Sequence, residues 1–223
     1  MAMFELEQFI AECESACVAG TRQAVRDILV RAIEDRSGVL AALGEPRLSE
    51  VKVLHRSPRL TILNALWPPH HTQAPHNHLL WVEIGVYSGR EDNIIWRRSP
   101  RSKWPIEAVG ATSLCAGSCH SLADDVIHSV NNPLDRITAA LHVYGGDLLA
   151  APRSTWDCET LREGPIDLAR DIRAIDAYND TLKIVPGNPV RAGGPQSAQR
   201  QSPSVPIPLT PDRRIRCEFF SCR

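Results

Sequence analysis

Apolar residues recur at helical spacing through the first part of the chain. Phe4, Phe9, Ile10, Cys13 and Cys17 fall on one face of a helix over 4–18. Val25, Ile28, Leu29, Ala32 and Ile33 repeat that pattern over 22–34. Ser37 to Leu43 predicts a third, short helix closed by Gly44. Residues 1–50 therefore read as a helical cap. The period then shortens. Strands are expected over 51–55 and 60–67, followed by a Pro-Pro-His-His turn, then over 79–87 and 92–97, with shorter ones near 106–110 and 119–122. Residues 137–144 alternate, with Ile137, Ala139, Leu141 and Val143 on one face and Thr138, Ala140, His142 and Tyr144 on the other. Many short strands separated by turn residues predict a β-sandwich or barrel over 51–184, with a helix near 166–180 as its extension. Residues 185–223 hold seven of the 17 prolines among Gly, Ser, Gln and Arg, and are expected to form a disordered tail.

Composition narrows the function classes. The chain has 223 residues, enough to bury a core without covalent staples. Lys plus Arg number 25 and Asp plus Glu 26, so no basic excess argues for nucleic-acid binding. No apolar run reaches membrane-spanning length, and the acidic start Met-Ala-Met-Phe-Glu-Leu-Glu does not read as a signal peptide. An odd count of 7 cysteines then predicts reduced thiols and a cytoplasmic protein. Cys115-x3-Cys119-His120 has half of a zinc pattern and lacks the other half.

The chemistry concentrates in Pro75-His76-Asn77-His78-Leu79-Leu80-Trp81-Val82-Glu83-Ile84-Gly85-Val86-Tyr87-Ser88-Gly89. Two histidines at i and i+2 on a strand share a face, so both imidazoles reach one metal ion. His128, within Gly117 to Asn132, is the candidate third ligand. Glu83 has two readings, a fourth ligand or an outward-facing charge. Trp81 is either a pocket wall or a core residue. His70 and His71 read as exposed loop residues, and His55 and His120 have no assigned role.

These two stretches together resemble the paired motifs of the cupin superfamily. His76, His78 and Glu83 fit the first motif, with Gly89 one residue early; Gly117, His128 and Asn132 fit the second, with Ala123 and Asp125 in place of Pro and Gly. Within that superfamily the chain looks like the thiol dioxygenases of the cysteine dioxygenase type. The likeness rests on Leu66-Trp67, Pro75-His76-Asn77-His78, Trp81, Ile84-Gly85-Val86, Gly89-Arg90-Glu91, His128-Ser-Val-Asn-Asn-Pro and Ala140-Leu-His142-Val-Tyr144. It implies a mainly β fold, a cupin double-stranded β-helix (jelly-roll barrel) with an N-terminal α-helical cap. It implies Fe(II), or another divalent metal, on His76, His78 and His128, and a small thiol such as cysteine or 3-mercaptopropionate oxidised by O2 to its sulfinate. Tyr144 would hydrogen-bond toward the reacting atoms, with His142 orienting it. Ala140 stands where the family has a Ser, leaving room for water in that relay, and Lys52 falls near the family's substrate-binding Arg. Two other readings stay open: a three-His-one-Glu cupin enzyme of carbon-centred chemistry, and a non-catalytic cupin that binds a small ligand.

Overall fold

The computed structural model describes residues 3–99, 103–166 and 168–184. Three helices come first: α1 (Leu6–Val18), α2 (Arg22–Glu34) and α3 (Arg36–Leu43). The Asp35 carboxylate accepts from the Gly38 N–H at 3.0 Å and the Phe4 N–H at 2.8 Å, so one side chain caps α3 and ties down the segment before α1. The strands are β1 (Glu50–Arg56), β2 (Thr61–Trp67), β3 (Thr72–Asn77), β4 (Val82–Ser88), β5 (Arg90–Arg98), β6 (Ile106–Cys115), β7 (Cys119–Leu122), β8 (Ile127–Asn131), β9 (Thr138–Tyr144), β10 (Ser154–Trp156) and β11 (Glu163–Pro165), followed by α4 (Leu168–Ile184).

All strand pairs are antiparallel. They form two sheets, ordered β1-β2-β9-β4-β7 and β11-β10-β3-β8-β5-β6. Strands distant in sequence lie side by side, β2 beside β9 and β3 beside β8, which is the winding of a double-stranded β-helix. The fold is thus mainly β, of the cupin type, with helices added at both ends of the described chain. Among the described residues no helix is long and apolar enough to cross a membrane.

The central strands of the first sheet, β2, β9 and β4, are buried on both faces, and the alternation of β9 shows how. Ala139, Leu141 and Val143 point outward and pack with Leu60, Ile62 and Tyr87 against Cys13, Val25, Leu29 and Ile33 of the helices. Ala140 and Tyr144 point inward, among Leu63, Val82, Ile84, Val86 and Leu114. Each fully buried Leu or Ile contributes about 1.5–3 kcal/mol, so the cap is held mainly by its apolar stripe. Gly85 lets α2 approach: a Cβ there would collide with Ile33 and Leu29.

Several elements differ from expectation, and β3 and β8 fall outside every expected strand range. The run Leu79-Leu80-Trp81 reads as strand, but Leu79 has φ 56° and the segment turns, so β4 begins at Val82. β6 extends to Cys115 because it pairs with β5 from Arg90↔Cys115 to Arg98↔Ile106; the partly exposed, polar Glu107, Thr112 and Ser113 conceal its pattern. β10 and β11 are three residues each, too short to show a period. The expected tail over 185–223 lies outside the described residues. Cys13, Cys17, Cys119 and Cys158 carry free thiols.

Candidate metal centre

β3 and β8 lie side by side with His76 and His128 directly opposite each other. His78 follows the last residue of β3 and keeps the face of His76, and the positive φ of Leu79 then turns the chain away. The three rings are 4%, 3% and 1% exposed. Their facing nitrogens come together: Nε2 of His76 lies 3.1 Å from Nε2 of His78, which lies 3.2 Å from Nε2 of His128. Among the described residues this is the one group of His, Cys, Asp or Glu side chains with metal-binding spacing.

Hydrogen bonds on the far sides of two rings orient these nitrogens. Nδ1–H of His76 donates to the Ala74 carbonyl at 2.9 Å. Nδ1–H of His128 donates to Oδ1 of Asn93 at 2.7 Å. Both rings therefore keep a bare Nε2 toward the centre, as ligation requires. Burial pushes the His76 pKa down to about 4. Burial, and then the neighbouring imidazoles, hold His78 and His128 well below the usual histidine range. Neutral rings with converging lone pairs suit a divalent transition metal. Nitrogens 3.1–3.2 Å apart are close enough to bind one ion together.

The centre opens into a cavity of about 580 Å³ with mostly apolar walls, including Leu63, Ala65 and Val130. Tyr144 lines it, its ring set edgewise to His78 with centroids 4.9 Å apart. Burial raises the phenol pKa, so Tyr144 stays protonated. Its hydroxyl lies 3.1 Å from Nδ1 of His142, and Nε2 of His142 lies 3.3 Å from Oε2 of Glu91. The structure thus brings all five expected site residues to one place. On its far side His142 thus meets a carboxylate from β5.

The other residues singled out lie away from the centre. Glu83 is not beside the histidines. Val82, Ile84 and Val86 point inward, so parity turns Glu83 outward, where its carboxylate meets Arg22 Nε at 2.7 Å, Arg26 at 3.4 Å and the Ser121 hydroxyl at 2.5 Å. It is an outward charge, yet 1% exposed, and it clamps the cap to the barrel. Lys52 is exposed, while Val51 and Val53 on either side of it line the cavity, so it points away from the site. Trp81 packs with the cap under the Arg22 guanidinium and does not wall the cavity. His71 is half-buried and stacks on Trp67 at 5.2 Å, whereas His70 is exposed. His55 bonds Glu14 at 2.6 Å. Cys115, Cys119 and His120 form no metal-binding group.

Three residues of the site escaped the sequence reading. Arg153, 8% exposed, lines the cavity, and its charge acts on His76, His78 and Tyr144. It follows the barrel in an irregular stretch that carries no pattern. Glu91 and Asn93 are both fully buried on β5. The signal available was their i, i+2 spacing: two polar residues on the inward face of one strand.

No protein-family model matches the chain, and no curated protein matches it in sequence. Solved structures similar in fold include an RmlC-like cupin family protein from Methanocaldococcus jannaschii, 13% identical, covering 46% of this chain and 84% of its own, with a TM-score of 0.39. A double-stranded β-helix protein from Klebsiella pneumoniae is 14% identical, with 50% and 81% covered and a TM-score of 0.38. A cupin domain from Bordetella pertussis is 17% identical, with 44% and 93% covered and a TM-score of 0.34.

Proposed function

We propose that the chain is an Fe(II)-dependent thiol dioxygenase that converts a small thiol bearing an anionic group into its sulfinate, R–SH + O2 → R–SO2H. One observation carries the reading: three converging imidazole nitrogens, with no carboxylate in their group among the described residues, face a cavity that also receives Arg153 and Tyr144. Fe(II) held by His76, His78 and His128 would supply thiolate coordination and O2 activation.

The chain's own residues account for binding and proton handling. Three neutral ligands leave the full charge of a divalent ion uncancelled, which favours thiolate over thiol. Arg153 offers the planar fork that recognises a carboxylate. Leu63, Ala65 and Val130 keep water from the reacting end. The thiol proton has a route out. It passes to the Tyr144 oxygen as the Tyr144 proton moves to Nδ1 of His142, and the resulting imidazolium faces Glu91. His142 then donates to Tyr144, whose own O–H turns toward the cavity. The outward placement of Glu83 argues against a three-His-one-Glu enzyme.

Oxygen uptake by the iron-loaded protein across a panel of thiols, with sulfinate detected by mass, tests the reading. Thiols carrying a carboxylate are expected to turn over fastest. Arg153→Gln is expected to raise their KM about 10–100-fold, the loss of one charged hydrogen-bonding pair. No uptake with any thiol, at full iron occupancy, overturns the proposal.

A further inference from the structure

We propose that Glu91 is a positioning residue that sets the direction of every hydrogen bond in two branches around the three-histidine centre, one through Asn93 to His128 and one through His142 to Tyr144. The proposal rests on the three histidines being metal ligands, but not on the substrate being a thiol.

Glu91 is 0% exposed. Three N–H groups converge on it: Trp67 Nε1 at 2.9 Å and His142 Nε2 at 3.3 Å on Oε2, and Asn93 Nδ2 at 3.0 Å on Oε1. Three N–H donors on its two oxygens favour its ionised form. An ionised carboxylate accepts only. Asn93 must therefore turn its NH2 to Glu91 and its oxygen to His128, where Oδ1 meets Nδ1 at 2.7 Å. His128 must then carry its proton on Nδ1, leaving Nε2 bare for a metal. On the other branch, His142 must carry its proton on Nε2. Its Nδ1 becomes the acceptor for the Tyr144 hydroxyl at 3.1 Å. One acceptor-only group thus fixes the tautomer of a ligand and of the histidine behind Tyr144, on opposite sides of the cavity.

The amide isostere cannot do this. With its oxygen toward Trp67 and His142, a glutamine at 91 turns its NH2 to Asn93. Asn93 then flips and presents its own NH2 to Nδ1 of His128, moving that ring's proton onto the ligating nitrogen. With its oxygen toward Asn93, the glutamine opposes its NH2 to the Trp67 N–H and drives the His142 proton to Nδ1. Neither arrangement preserves both branches.

The test uses the full chain loaded with Zn(II), a diamagnetic probe. It reads zinc affinity by competition with a chromophoric chelator, and histidine tautomers by 15N-resolved imidazole spectra. The wild type is expected to carry His128 protonated on Nδ1 and His142 on Nε2. In Glu91→Gln one of two changes is expected: zinc affinity lower by about 10–100-fold, or the His142 proton moved to Nδ1. Glu91→Asp, still acceptor-only, and Tyr144→Phe are expected to keep both tautomers. Glu91→Gln with wild-type affinity and both tautomers intact overturns the proposal. So does a wild type whose His142 Nε2 bears no proton, a result that stands even if the glutamine variant fails to fold. A wild type with the expected tautomers that oxidises no thiol removes the dioxygenase reading and leaves this one in place.

Discussion

Glu83 on β4 and Glu91 on β5 are buried to the same degree, 1% and 0% exposed, but they face opposite ways. Glu83 points out of the barrel to two arginines, each about a third exposed, and to Ser121. Glu91 points inward, where it meets Trp67, Asn93 and His142. A carboxylate met by flexible, partly wet cations is a clamp: its worth lies in charge, and the arginines reach it from many angles. A carboxylate met by fixed donors is a template: its worth lies in which atoms must give and which must receive. The amount of burial is the same, so burial alone does not tell a structural carboxylate from one that serves a site. The kind of partner does.

Substitutions on the two sides of this wall are expected to separate cleanly. The largest effect belongs to the inner side. His128→Ala is expected to reduce bound metal to nothing, read by metal analysis after dialysis, and to end turnover with it; full stoichiometry would remove His128 from the ligand set. Acid should also act on the inner side. The folded-state pKa values of His76, His78 and His128 lie below 6.5, with His76 near 4. Below pH 6.5 the unfolded chain therefore binds more protons than the folded one. The stability of metal-free protein is fully present above pH 6.5 and is expected to fall steadily toward pH 4, read by denaturant titration. Metal-loaded protein should resist that fall, and identical profiles would show that the histidines are not the cause. The smallest effect belongs to the outer clamp. Glu83→Ala leaves arginines that can reach water, so its cost is about 2 kcal/mol rather than the 3–5 expected for a stranded buried charge. That corresponds to a Tm lower by roughly 4–8 °C, with kcat/KM within twofold of wild type at low temperature. A large drop in kcat/KM without loss of Tm would erase the distinction drawn between the two carboxylates.

Much of the scaffold was legible in the order of residue types. The helices were marked by Val25, Ile28, Leu29, Ala32 and Ile33, because a cap lying on a sheet needs one apolar stripe. β9 was marked by a perfect alternation whose two sets now face the cap and the barrel interior. The three histidines were legible because two of them share a strand face and the third sits in a second recurring motif. What could not be read was anything set by contact between distant segments. The outward turn of Glu83 follows from the inward packing of Val82, Ile84 and Val86, and a run of apolar residues does not say which parity faces in. Arg153 reaches the cavity from a segment without periodicity. Leu79 to Trp81 were misread as strand because a turn made of large apolar residues carries no turn signal.

The double duty of β9 has a consequence for how such a protein can change. Within seven consecutive residues one set of side chains holds the cap, and His142 and Tyr144 of the other set line the cavity. Substitutions at His142 and Tyr144 act on the site while the helices stay docked. Those at odd-numbered positions can retune cap adhesion while the chemistry is left alone. A single ribbon therefore couples anchoring to chemistry, and directed evolution aimed at a new substrate has reason to begin elsewhere on the cavity wall, at Leu63, Ala65 and Val130.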